Sequence, residues 1–211
     1  MTDRPYAEQA VAGLRSLLPP DTGANEGIDW EALSAAWGTR FPSDYMEFMK
    51  VYGAGGISDS FEVVRPLSPE TMDISGMATA TSNARDQWPP EVASIGVTAL
   101  GAGETVIAWA VTPAADVVCW LTSHVDPDQW PVAVLSPSLV APWRVYPVGM
   151  AEFLRRLLVG EFDTCPISDS TLWNAGTGQF LHWREQERLL NAGIDPWTGE
   201  PDPYANLGFD D

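Results

Sequence analysis

His124, His182, Cys119 and Cys165 are the residues of this chain with the most direct access to nucleophilic or metal chemistry. A structural or catalytic metal needs imidazoles and thiolates at short, regular spacing, such as His-x-x-x-His or Glu-x-x-His. Neither pattern surrounds either histidine, so a metal site would have to be assembled from remote carboxylates. The plainer reading is a pair of surface or hydrogen-bonded histidines. Cys119 and His124 could be imagined as a thiolate–imidazole pair, but their spacing fixes neither their separation nor a third group to orient the ring. Set between Val118 and Trp120, Cys119 reads as a small core residue. The serines lack a Gly-x-Ser-x-Gly elbow. Carboxylates are abundant, yet nothing singles out two of them as an acid/base pair.

Two glycine runs could approach phosphate. GAGE at 101–104 lacks the Gly-Lys-Ser/Thr ending of a P-loop, and the full Gly-x-Gly-x-x-Gly of a dinucleotide site is absent, so a hairpin turn explains it. GAGG at 53–56 follows a helical pattern, whereas phosphate loops precede a helix and use its N-terminal N–H groups, so it reads as a helix stop. One further stretch has the composition of a protein-binding loop. DPDQW at 126–130 sets Asp126 and Asp128 beside Trp130, acid groups next to an aromatic anchor, although a turn with a buried Trp is the better fit. With Glu104, these three are the candidate partner-contacting residues. No motif calls for a cofactor or a metal.

The elements that must position these residues follow from hydrophobic spacing. Tyr6 to Leu18 has apolar residues at helical intervals and ends at Pro19 and Pro20. Asp29 can cap a second helix bearing Trp30, Leu33 and Trp37 on one face, closed by Gly38. A third helix begins at Pro42 or Ser43, with Asp44 and Glu47 near the positive end of its dipole. Tyr45, Phe48, Met49 and Tyr52 form its buried stripe, Gly53 stops it, and Gly55 and Gly56 turn the chain towards an extended segment.

From Ser60 the pattern becomes strand-like: 61–64, 95–100, 106–111, 117–121, 132–135 and 143–146, the later runs separated by turn residues. Such close spacing favours an antiparallel meander over βαβ crossovers. The stretch 66–90 reads as a strand or helix with loops. Residues 148–160 return to helical spacing, 163–178 read as loop, 179–192 as a last helix, and the remainder as an acidic Pro/Gly-rich tail whose Trp197 and Tyr204 either lie against the body or trail from it.

Composition narrows the function. With 29 Asp and Glu against 11 Lys and Arg, the formal charge is −18. That sign opposes binding to phosphate backbones, whose affinity comes from neutralisation by Lys and Arg. It favours fast encounter with a basic protein and can mimic nucleic acid; it also keeps a protein soluble. No apolar run reaches the roughly 20 residues needed to cross a bilayer, and MTDRPYAEQAV lacks a basic start followed by an apolar stretch. No membrane association and a cytoplasmic location are therefore expected.

Taken in order, Trp37, then Phe41-Pro42-x-Asp44-Tyr45-x-x-Phe48, then Tyr52-Gly53-x-Gly55-Gly56-Ile57 resembles the signature of the SUKH superfamily, which joins fungal cell-wall-assembly regulators and bacterial toxin-immunity proteins. The meander with Trp120 and His124, and the helical run MAEFLRRLLVGEF at 150–162, fit the same resemblance. It covers 27–162, within a domain of 1–162, and leaves 163–211 as a C-terminal extension. It implies an α+β fold, N-terminal helices packed on a mostly antiparallel sheet of about five to six strands with a closing helix. It also implies a non-catalytic protein-binding module, an immunity protein that neutralises a basic, nuclease-type toxin domain. The signature residues would be structural ones. The alternatives are a regulatory scaffold in an endogenous complex and a hydrolase using Cys119 and His124.

Overall fold

The helix that follows Asp29 starts where the sequence places a capping side chain. The computed structural model describes residues 4–21, 26–71, 76–87, 105–138 and 142–203; the expected strand at 95–100, the turn carrying Glu104, and Tyr204 lie outside the described residues. Helix α1 is Arg4–Leu14, shorter at its C-terminal end than the apolar spacing predicts. The Leu18 N–H still reaches the Leu14 carbonyl at 2.7 Å, so Leu18 is buried by a terminal turn. Helix α2 is Trp30–Trp37, and the Asp29 carboxylate accepts from the Ala32 N–H at 3.0 Å as expected of a cap. Helix α3 is Ser43–Val51, with Tyr45, Phe48 and Met49 buried. In the stretch left open by the sequence, α4 is Met77–Asp86. Helix α5 is Met150–Val159 and α6 is Trp183–Asn191.

The strands are β1 Gly55–Ile57, β2 Phe61–Val63, β3 Val106–Val111, β4 Val117–Leu121, β5 Val132–Leu135, β6 Trp143–Tyr146 and β7 Phe180–His182. Among the described residues they form one sheet in the order β6-β5-β4-β3-β2-β1-β7, with every neighbouring pair antiparallel. The protein is thus α+β, with a meander at its centre.

Two strands depart from the sequence reading. Gly55 to Ile57, read as a turn towards an extended segment, are themselves strand β1. Residues 180–182, read as the start of the last helix, are β7, which pairs Gly55 with His182 and Ile57 with Phe180. The helical pattern of 183–191 runs back into 180–182 without a break in composition. Strand identity comes instead from an unsaturated sheet edge more than a hundred residues away in sequence, where the free backbone groups of β1 need partners. Through β7 the C-terminal extension is part of the sheet.

One face of the sheet meets α1, α3 and α5. Its centre is aromatic: Trp109 of β3 and Trp120 of β4 lie beside Phe41, Tyr45 and Phe153. Helix α5 buries Met150, Phe153, Leu154, Leu157 and Leu158 here. At roughly 2 kcal/mol per side chain, that burial contributes on the order of 10 kcal/mol before chain entropy is subtracted.

The other face is built from small residues. Ala108, Cys119 and Ala133 let α4 come close through Ala80 and Ala84. At a β-bulge between Ala108 and Ala110, the Thr81 hydroxyl of α4 accepts the Ala108 N–H at 2.9 Å, satisfying a backbone donor that the bulge takes from the ladder. Helix α6 packs on β1 and β7.

Candidate functional site

The acidic loop between β4 and β5 lies against the N-terminus of α3. Pro127–Gln129 form a 3₁₀ turn, capped by the Asp126 carboxylate. The Asp128 carboxylate accepts the Ser43 N–H at 2.5 Å, so an exposed loop residue supplies the cap that Pro42, with no side-chain donor or acceptor, cannot give α3. One residue further, the Asp44 carboxylate leaves its own helix and accepts the Ala151 N–H of α5 at 3.0 Å. The sequence places Asp44 as a charge for the α3 dipole; its carboxylate in fact ties α3 to the start of α5. Burial pushes the Asp44 carboxyl above its usual range, against the lowering pull of the Ala151 and Tyr45 N–H groups, and the charge of Asp128 adds to the rise.

Trp130 is 4% exposed and its indole N–H donates to the His124 carbonyl at 2.6 Å. It therefore anchors the loop to the core, and the surface offered at this end is Asp126, Asp128, Val125 and His124. The His124 ring accepts the Asp126 N–H at 3.0 Å. Arg40 stands 4.0 Å from Asp126, an exposed pair of little energetic consequence. Loop and helix starts form a rigid acidic corner whose carboxylates are largely used within the fold.

The signature residues occupy the core. The Trp37 indole donates to the Leu67 carbonyl at 3.0 Å, and the Tyr52 hydroxyl donates to the Leu18 carbonyl at 2.7 Å. Phe48 stacks on Tyr52 at 4.5 Å, while Tyr45 meets Trp120 edge-on at 4.8 Å. Phe41 and Pro42 are buried. Gly53, at φ +74°, has no room for a side chain, since a Cβ would sit 2.6 Å from His182 Nε2. Gly56 is covered by Trp197, whose ring would be 2.5 Å from an added Cβ. The tail's Trp197 thus lies on β1.

Sequence reasoning did not find the Glu26 node. His182 is fully buried at the end of β7, where its Nε2 meets Glu26 Oε1 at 2.8 Å and its Nδ1 accepts the Arg184 N–H at 3.2 Å. An accepting Nδ1 places the proton on Nε2, which donates to Glu26. The same carboxylate accepts from the Trp183 indole at 2.8 Å and the Ala54 N–H at 3.3 Å. This is a strap between the α1–α2 link, the residue before β1, the end of β7 and the start of α6. No local pattern signals it, because its members lie more than 150 positions apart or join through backbone.

The thiol and imidazole of the Cys119/His124 pair are not brought together. Cys119 is fully buried beneath α4, and burial pushes its thiol far above its ordinary range, with nearby Arg85 opposing only in part. His124 is exposed. Among the described residues no group of three or more His, Cys, Asp or Glu is placed to hold a metal ion, and no helix is long and apolar enough to cross a membrane.

Several basic groups are already engaged. Lys50 pairs with Glu47, Arg155 with Glu152 and Glu161, Arg156 with Glu152, Arg184 with Glu26 and Arg188 with Glu185. Arg155 and Arg156 hold the Glu152 carboxyl down at about 2. No family model, no curated protein and no solved structure matches the chain.

Proposed function

We propose that this protein is a non-catalytic, intracellular protein-binding module that captures a basic partner, and that it serves as an immunity protein against a nuclease-type toxin domain. The observation that carries the reading is the formal charge of −18 on 211 residues, set beside the residue signature from Trp37 to Ile57. A field of this sign attracts the cationic surface with which a nuclease holds nucleic acid, and capture there blocks the site by occlusion. The excess of 29 Asp and Glu over 11 Lys and Arg leaves little positive charge to oppose a basic surface. The inert burial of Cys119 removes the nucleophile on which the hydrolase alternative depends.

The test is capture of purified toxin domains from the source genome on immobilised protein at low and moderate salt. A basic domain retained tightly, with an association rate that falls as salt rises, is the expected result. Recovery of only an endogenous complex from the lysate, with every toxin domain in the flow-through, would instead support the regulatory-scaffold alternative.

A further inference from the structure

We propose that the groove between α1 and α3 is the docking site for a cationic protein segment bearing an apolar anchor residue; this rests on the protein-binding reading above and names the face that does the binding. The groove encloses about 660 Å³, within the range of sites that hold a few side chains. Ala7 and Glu8 of α1 form one wall, Met46 and Glu47 of α3 the other, and Ile28 and Trp30 close one end. Ile28, Trp30 and Met46 are large apolar residues that folding leaves only half-buried around a single concavity. A rigid indole and an adaptable thioether are the side chains from which apolar anchoring pockets are commonly built.

Charge selects the occupant. Glu8, Glu26 and Glu47 line the groove; Glu47 holds the Lys50 ammonium at 3.0 Å and Glu26 is taken up by His182, Trp183 and Arg184, which leaves the exposed Glu8 on the rim. An incoming Lys or Arg therefore pairs with Glu8 and can lay its methylene stem along Trp30. The two neighbouring grooves are less suited to a cation. The one of about 570 Å³ under α6 sets Glu62 and Glu187 against Arg65, and that of about 520 Å³ beside α2 sets Glu26 and Asp29 against Arg65 and Arg184.

The experiment titrates the ¹⁵N-labelled full chain with a short amphipathic Lys/Leu peptide and with a Lys/Ser peptide of equal charge. The expected result is saturable shifts for the Lys/Leu peptide, confined to the Trp30 indole N–H and the amides of Glu8, Gly27 and Met46, with the Lys/Ser peptide much weaker. Glu8→Lys, at an exposed helical position, should weaken binding about tenfold, or about 1.4 kcal/mol; Met46→Gln should weaken it while leaving the Lys/Ser response unchanged. Equal responses to both peptides, shifts spread over the whole acidic surface, or undiminished binding by Glu8→Lys would overturn the assignment. Capture of a toxin domain that Glu8→Lys leaves intact would remove the groove and keep the immunity reading; a filled groove with no toxin domain captured would do the reverse.

Discussion

Replacing Glu62 with Gln should stabilise the protein above neutral pH and leave it nearly unchanged in acid. Glu62 lies on β2 between Phe61 and Val63 but points to the opposite face of the sheet, over Gly56 and against α6. Burial is the main cause that lifts its carboxyl from 4.5 to about 7, opposed by a hydrogen bond from Gln186. Because the folded value exceeds the unfolded one, the folded chain holds a proton that the unfolded chain has released. The contribution of this group to stability is thus full below about pH 4.5 and is lost as pH rises through about 7. Two to three units at about 1.4 kcal/mol each put the loss at roughly 3 kcal/mol, reduced towards about 2 by the water that reaches this half-buried group. Glutamine keeps the shape and can pair with the Gln186 amide without carrying charge. Urea unfolding followed by tryptophan fluorescence, for both proteins at about pH 4, 6 and 8, reads the difference directly. A gain for Glu62→Gln that grows from near zero to about 2 kcal/mol across that range is expected. An equal gain at every pH, or a loss at high pH, would refute the reasoning, since it would mean that the charged form is compensated in the fold.

Three other outcomes follow from the geometry. Asp128→Ala removes the carboxylate that caps α3 and should cost about 1 kcal/mol in urea unfolding, whereas Gln129→Ala beside it should cost little. Gly56→Ala drives a Cβ into the Trp197 ring, so limited proteolysis should cut at 193–203 faster than in the wild type while the sheet stays folded. In native protein Cys119 should resist iodoacetamide and react only after urea unfolding, as mass mapping of the two cysteines would show.

Helices α2, α3 and α5 were legible because their signals are local: Asp29, Pro42 and the glycines at 38, 53 and 160 punctuate apolar stripes three and four residues apart. Strands β3 to β6 were legible because short strand-like runs recur at close intervals between turn residues. What escaped was set at long range. Strand β7 exists because β1 offers it an edge, and α4 carries the weakly apolar stretch MATATSNARD, whose buried stripe of Met77, Ala80, Thr81 and Ala84 has meaning only against the small residues of β3 and β4. The candidate loop shows the same divide. Its composition marked Asp126, Asp128 and Trp130, but their contacts with Ser43 and His124 decide that they mainly hold the fold together. The groove between α1 and α3 draws its residues from three separate segments, so no single stretch announces it.

Co-expression is the direct test of the proposed neutralisation of a basic toxin by an acidic surface. Each toxin domain from the source genome would be induced in a sensitive host with and without this protein, and growth followed. One basic nuclease domain should be lethal alone and harmless with the protein present, and the two purified proteins should form a complex weakened by salt. Unrelieved killing by every basic domain, with this protein soluble and abundant in the same cells, would contradict it.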